Sequence, residues 1–403
     1  MAAFPIIAAL EMGTSKVVAM VGELRDDGHI MIIGKGEQAS SGIRKGEITD
    51  LENAMAVVKS ALKEVEVQSD VELGQLWVAV SGRHIECVSH SGLVPIRSPE
   101  AGVTQEDIED VKEMASRMSL PDSRWVLDTI AGNFRVDDQI NILRPLGMSG
   151  SQLGLNVLVV HGEANRIQNI RTVVESIPMD VTGLAFGGLC SALGALTPAQ
   201  KESGVVVIDL GGGTTDYAVF ANHEVAAGGS ISVGGDHVTN DIAMAFCIPN
   251  RQAEALKKRS GSAVVRSVTG PATVSLHPEG GFSGRTVSLH ALHTIVNARL
   301  DETLKLVRQS LTTAGVMRNL NGGIVLTGGG ARMDGITELA SRIFARPCVV
   351  GAPFGFGAQP AAIDGPEYAT CCGLVRYGFM RRMVATHDRP GWWPKIKSTI
   401  WKR

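Results

Sequence analysis

Long apolar runs are missing from this 403-residue chain. No stretch approaches the ~20 uninterrupted apolar residues of a membrane-spanning helix. Aromatic residues are scarce, at 4%, and the six cysteines form no C-x-x-C pair and have no histidine at zinc-finger spacing. Neither a disulfide framework nor a structural zinc site is therefore expected. Cys87, Cys190, Cys247, Cys348, Cys371 and Cys372 each sit in an otherwise apolar stretch, which predicts small buried hydrophobes in a reducing compartment. Met1–Leu10 is apolar but lacks a basic leader and meets Glu11 at once, so it does not read as a secretory signal. A cytoplasmic protein is expected. Common active-site signatures are also missing. Gly330 and Gly335 have P-loop spacing, but Ile336 follows instead of Lys; Asp216 and Met333 stand where a dinucleotide fingerprint needs its third glycine. There is no G-x-S-x-G and no H-E-x-x-H. His290 and His293, at i, i+3 without an acid partner, read as a solvated helix face.

With 44% apolar and 20% charged residues, the chain is long enough for two or three globular units with proper cores. The net charge of −3 hides an asymmetry. Residues 381–403 hold seven Lys/Arg against one acid, Asp388, a balance of +6 that leaves −9 for the body. An acidic body argues against nucleic acid as a partner.

Strand and helix patterns alternate along the chain, which predicts an α/β fold. Strands are expected over Pro5–Met12, Lys16–Gly22, His29–Gly36, Trp77–Ser81, Val205–Leu210 and Gly323–Thr327. Helices are expected over Asp50–Val67 (capped by Thr49 or Asp50), Glu163–Ile177, Asp236–Phe246, Arg251–Ser260, Leu289–Val316 and Asp334–Phe344. From about His84 to Val160, extended pieces surround one helix opening at Thr104, as an inserted subdomain would. A weak repeat relates Ala8–Ala19 to Val206–Val219, with Glu11 and Asp209 separated by 198 positions. In each, a buried strand runs into an acid, a Gly/Thr turn and a second apolar strand.

Glycine turns let backbone N–H groups approach phosphate oxygens, and a carboxylate on the preceding strand can hold Mg²⁺ through water. Gly13-Thr14-Ser15 alone is what an ordinary tight hairpin carries. Asp209-Leu210-Gly211-Gly212-Gly213-Thr214-Thr215-Asp216, with acids bracketing three glycines after a buried strand, is costly to fold unless something must come close. A third run, Thr327–Gly335, follows a buried strand and precedes a helix, a natural place for a nucleoside or phosphate.

These three motifs, in this order and spacing, resemble the actin/Hsp70/sugar-kinase ATPase superfamily. Within it, Leu10–Val17, Lys45–Leu51, Val80–Ile85, Val103–Ile108, Thr239–Phe246, Ala253–Lys257 and Gly323–Gly329 make the chain similar to the FtsA cell-division family over its length. The resemblance implies a two-lobed, duplicated ribonuclease-H-like fold. Residues 1–83, 161–186 and 345–380 would form the core of lobe 1, and 84–160 its insertion. Residues 187–222 and 311–344 would form the core of lobe 2, and 223–310 its upper subdomain. It also implies an ATP site with Mg²⁺. Gly13, Thr14, Ser15 and Lys16 would hold phosphates from one lobe, and Gly211, Gly212, Gly213, Thr214 and Thr215 from the other. Asp209 and Glu11 would face Mg²⁺, Gly234 and Gly235 complete the cleft, and Gly328, Gly329 and Gly330 back the nucleoside. Arg332 would lie against the adenine, with Glu254 and Lys257 reaching the ribose or base. Glu11 replaces the usual Asp of the superfamily, and Leu184–Ser191 lacks the acid or Gln that orients the attacking water in several relatives. No catalytic residue is assigned, and slow hydrolysis at most is expected.

After a polar linker at 381–390, residues 391–403 form a short amphipathic pattern. On a helical wheel Ile396 and Ile400 fall within about 60° of Trp393, and Trp401 about 80° away. Trp392, Lys395, Lys397, Lys402 and Arg403 complete a Trp-rich basic foot suited to an anionic membrane interface. The family resemblance further implies self-assembly into actin-like filaments and binding of the FtsZ C-terminal peptide by the upper subdomain, with Arg285 the expected contact. The protein would sit on the cytoplasmic face at the division site and help assemble the septal ring. A pilus-assembly-type adaptor or a small-molecule kinase of the same superfamily are the alternatives.

Overall fold

The computed structural model describes residues 5–222, 224–266, 272–276, 285–358 and 362–387. The expected membrane foot, with Trp392, Trp393, Lys395, Ile396, Lys397, Ile400, Trp401, Lys402 and Arg403, lies outside them.

Two sheets share one scheme. In the first, Ile6–Met12 pairs antiparallel with Lys16–Leu24, which pairs with Ile30–Ala39. On the other side of Ile6–Met12 come Gln75–Val80 and then Asp180–Phe186, both parallel. In the second, Val205–Leu210 pairs antiparallel with Thr215–Ala221, then Glu224–Ile231 follows. Ile324–Thr327 and Cys348–Val350 lie on its other side, both parallel. The same five-strand order and sense, with Glu11 and Asp209 at matching places, turns the weak repeat into a structural duplication. Buried apolar runs drive both central hairpins: Val17–Val21 and Val205–Ile208 are each 1% exposed or less, as strands covered on two faces must be.

The helix Leu51–Ser69 starts at Asp50, whose carboxylate accepts from the Asn53 N–H at 3.1 Å. It buries Ala54, Val58, Ala61, Leu62 and Val65 in the core of the first sheet. The long helix Leu289–Thr313 does the same for the second with Leu292, Val296, Leu304, Val307 and Leu311. The expected insertion has its own core, in which Ile108, Val111 and Ala115 of helix Gln105–Ser116 meet Leu153, Leu155 and Phe134. Its four strands also continue the second sheet through a single pair, Glu86 with Gly229, giving nine strands in one sheet. The Asn133 side chain fastens this junction by donating to the Asn222 carbonyl at 2.6 Å.

Two helices without an amphipathic period cross between the sheets, Gly187–Ala195 and Ala369–His387. A Cβ at Gly194 would strike the Ala369 carbonyl, and one at Gly373 the Cys190 carbonyl, so glycine sets their close approach. Buried Arg376 pins the crossing, donating to the carbonyls of Leu193 and, at 2.7 Å, Phe354, with its guanidinium 4.1 Å from the Phe356 ring centre.

Four expectations change. Ala369–His387 carries helix through 381–387, most of the stretch read as linker, because it prolongs a helix packed on buried neighbours. Cys348–Val350 belongs to the second sheet, so that lobe runs past residue 344. Cys190, Cys371 and Cys372 are buried, but Cys87 and Cys348 are half-buried and Cys247 is exposed at a helix end; none of the six is in a disulfide. His290 is exposed as expected, whereas His293 is half-buried with Nε2 3.1 Å from the Ser260 carbonyl oxygen. Among the described residues no helix is long and apolar enough to cross a membrane.

Candidate functional site

The two glycine turns are copies in geometry as well as sequence. The Gly13 N–H donates to the Lys16 carbonyl at 3.0 Å, and the Gly211 N–H to the Thr214 carbonyl at 3.0 Å. They meet across the lobes. The Lys45 N–H donates to Thr14 Oγ1 at 3.0 Å, and a Cβ at Gly213 would collide with that same Oγ1 and lie 2.8 Å from the Lys45 backbone. Glycine at 213 therefore lets the second-lobe turn close on the first. Gly234 and Gly235 back the second turn: the N–H groups of Gly235 and Asp236 donate to the carbonyls of Gly211 and Gly212 at 2.9 and 2.8 Å.

Behind that turn stands helix Asn250–Ser260. Lys257 is 9% exposed and donates to the Gly235 carbonyl at 3.0 Å and to Thr239 Oγ1 at 2.8 Å, while its ammonium lies 2.6 Å from Glu254. Glu254 and Lys257 thus brace the cleft wall through each other and through Gly235.

Three carboxyls converge at the base of the cleft. Asp209 Oδ2 accepts from the hydroxyls of Ser191 and Thr370, both at 2.6 Å. Among the described residues, the enclosed Oε2 of Glu11 and Oδ1 of Asp216 have no hydrogen-bond partner. Burial, then the negative charge of Asp209, pushes Glu11 up to about 8 against the pull of Lys16. Burial pushes Asp216 up to about 7, with Asp209 adding to it against hydroxyl donors. Asp209 is raised by burial and eased by its two hydroxyl donors. Three acids against the pull of Lys16 leave the cluster net negative, and orphaned acid oxygens fit a hydrated divalent cation. No three His, Cys, Asp or Glu side chains among the described residues are placed to hold a metal directly. A cation here would be held through water.

The third glycine run closes the far side. Gly328 has φ +79°, its N–H donates to the Pro366 carbonyl at 3.1 Å, and a side chain there would occupy the place of Asp209 Oδ1. Gly329–Arg332 forms a 3₁₀ turn, and a Cβ at Gly329 would meet nothing within 4 Å. Gly330 packs on Leu210. The turn Pro366–Tyr368 takes up two expected ligand cations. Arg332 forms a two-pronged pair with Glu367, both bonds 2.8 Å. Lys16 lies 3.2 Å from Glu37 Oε2 and 3.9 Å from the Tyr368 ring centre.

The structure therefore gathers Glu11, Gly13, Thr14, Ser15, Gly211, Gly212, Gly213, Thr214, Thr215, Asp209, Gly234 and Gly235 around one cleft, with Lys16 and Arg332 engaged at its margin. Arg285 opens the strand Arg285–Ser288 of a hairpin with Thr273–Leu276, away in sequence from all three glycine runs. No local pattern announces Glu367, Tyr368 or Thr370, and Lys45 and Ser191 stand in segments singled out for other reasons. Asp216 was legible, since it stands opposite Asp209 in the hairpin register.

Comparison with known proteins agrees with this architecture. Residues 206–373 match the family model described as cell division protein FtsA, and residues 82–161 match the SHS2 domain inserted in FtsA. The chain is 36% identical to the cell division protein FtsA of Pseudomonas aeruginosa over 377 residues, 94% of this chain and 90% of that protein. It is likewise 36% identical to that of Escherichia coli K12 over 380 residues, 93% of this chain and 90% of that protein. Among solved structures, a PilM–PilN type IV pilus biogenesis complex superposes with a TM-score of 0.64 at 16% identity, covering 92% of this chain and 98% of that one. MreB5 of Spiroplasma citri bound to ADP gives 0.56 at 15% identity, covering 96% and 99%. At such identities these two matches bear on fold alone.

Proposed function

The chain belongs to the FtsA family and is an actin-like cell-division protein, and from that premise we propose that its cleft holds ATP with Mg²⁺ and that it tethers FtsZ filaments to the membrane. The carrying observation is the pair of glycine turns in one register, meeting over clustered carboxyls of which two oxygens have no hydrogen-bond partner among the described residues. Gly13, Thr14, Ser15 and Lys16 would face phosphate from one lobe and Gly211–Thr215 from the other. Lys16 would exchange Glu37 and Tyr368 for phosphate oxygens. Glu11 and Asp209, with Asp216 beside them, would hold Mg²⁺ through water. Bound there, the ion supplies the positive charge that the acids and phosphates share. Gly328, Gly329 and Gly330 would back the nucleoside with Arg332 at its edge, and Glu254 and Lys257 would keep the upper wall in place. The segment Leu184–Ser191 contributes Ser191 but no acid or Gln, which supports slow turnover and a structural use of ATP.

The subdomain partition belongs to the same proposal, with lobe 2 extended through Val350. So does the placement of the foot, residues 391–403, in the anionic cytoplasmic face of the membrane at the division site. Each Lys/Arg near such a surface contributes about 1 kcal/mol, so one foot alone is reversible. Self-assembly into an actin-like filament would present many feet together and raise avidity. The upper subdomain, 223–310, would take the FtsZ C-terminal peptide near Arg285. Identity across almost the whole chain favours this over a pilus-type adaptor, which is similar in fold only. Calorimetric titration with ATP tests the cleft: binding that is strong with Mg²⁺ and much weaker in EDTA is expected, and no binding in either buffer would sink the proposal.

A further inference from the structure

Asp209 is held from three directions by segments far apart in sequence. Ser191, from helix Gly187–Ala195, and Thr370, from the start of helix Ala369–His387, both place hydroxyls 2.6 Å from Oδ2, and Oδ1 rests against the Cα of Gly328. Ser191 is fully buried and Thr370 is 5% exposed. Ser191 is the one hydroxyl-bearing residue of its helix, whose neighbours are Gly, Leu, Ala and Cys. Alanine would pack there equally well, so a buried hydroxyl needs a polar reason. Ser191 Oγ also lies 3.0 Å from the Gly187 carbonyl and 2.8 Å from Thr370 Oγ1.

We propose that Ser191 and Thr370 are positioning residues: they hold the Asp209 carboxyl in one orientation, toward the cation that accompanies the nucleotide. This inference rests on the nucleotide and Mg²⁺ reading above. Groups that orient a metal-facing carboxylate act on cation affinity far more than on contacts to the rest of the ligand. Because the hydroxyls come from the two helices that cross between the lobes, cation binding and the helix crossing share one set of hydrogen bonds.

The test uses the full chain and a fluorescent ATP analogue, with free Mg²⁺ titrated for wild type, Ser191→Ala, Thr370→Val and Thr370→Ser. Ser191→Ala and Thr370→Val are expected to raise the free Mg²⁺ at half-maximal binding about tenfold. Thr370→Ser, which keeps the hydroxyl, should stay within about twofold of wild type, as should every variant's affinity in EDTA. An unmoved Mg²⁺ midpoint in Ser191→Ala and Thr370→Val overturns the proposal. So does an EDTA affinity that falls as far as the Mg²⁺ affinity, since that is general damage to the cleft. Should Thr370→Val fail to fold, Ser191→Ala, which removes one oxygen atom, decides alone. A wild-type chain without Mg²⁺-dependent binding sinks the nucleotide reading itself, whereas normal wild-type binding with unmoved variants sinks only the positioning role.

Discussion

Glu11 is a carboxyl whose ionisation the nucleotide-free protein opposes. Its carboxyl titrates at about 8 in the folded chain against 4.5 as a free group, because burial and Asp209 oppose its charge. Between those values the folded state keeps a proton that the unfolded chain has released. Stability is therefore highest below the unfolded value and falls as pH rises, by up to ~1.4 kcal/mol per pH unit. From pH 5 to 7.5 the loss accumulates to about 3 kcal/mol. Glu11→Gln keeps the side-chain shape and removes the titration. With ~2.1 cal/mol/K of unfolding entropy per residue, 1 kcal/mol moves Tm by about 1 °C in a chain this long. Nucleotide-free Glu11→Gln should thus melt about 4 °C above wild type at pH 7.5, and the gap should shrink to about 1 °C at pH 5. Differential scanning fluorimetry across this range reads the effect. With Mg²⁺ and ATP present the order should reverse, because the variant has lost a charge that the cation would balance. A gap independent of pH, or a variant less stable than wild type at pH 7.5 without nucleotide, refutes the reasoning.

Gly213→Ala places a Cβ against Thr14 Oγ1 and the Lys45 backbone, so the turns cannot close; ATP affinity should fall at least about tenfold in calorimetry while the far-ultraviolet spectrum is kept. Lys257→Met strips the hydrogen bonds to Gly235 and Thr239 and leaves half-buried Glu254 with Lys258 as its remaining cation; a loss of about 1–3 kcal/mol should lower Tm by a few degrees. Trp393→Glu puts a charge on the apolar side of the tail and should abolish co-sedimentation with anionic vesicles, leaving nucleotide binding unchanged.

The two central hairpins were legible because they are uninterrupted apolar strands broken by an acid and glycines, a pattern that survives duplication. Leu51–Ser69 was legible from its 3.6-residue period, with Asp50 rather than Thr49 supplying the cap. Gly187–Ala195 and Ala369–His387 were not. The first is buried on every side and the second nearly so through Phe379, so no polar face marks a period, and their glycines argue against helix until the crossing explains them. The site followed the same division. Gly13, Asp209 and Gly211 stand in local motifs, while Ser191 and Thr370 acquire meaning only where folding brings 18 and 161 positions of separation to hydrogen-bond distance. Lys16 and Arg332 were placed near the right cleft, but Glu37, Glu367 and Tyr368, the groups that hold them, carry no motif.

One measurement joins the cleft, the tail and the partner. A labelled peptide of the FtsZ C-terminus is sedimented with anionic vesicles and the full chain, with ATP and Mg²⁺ or with EDTA, for wild type and Trp393→Glu. The tether account predicts that peptide comes down with vesicles only when wild-type chain is present, and more of it with ATP and Mg²⁺. Peptide that stays in solution with the wild-type chain, or that sediments equally well with Trp393→Glu, would contradict it.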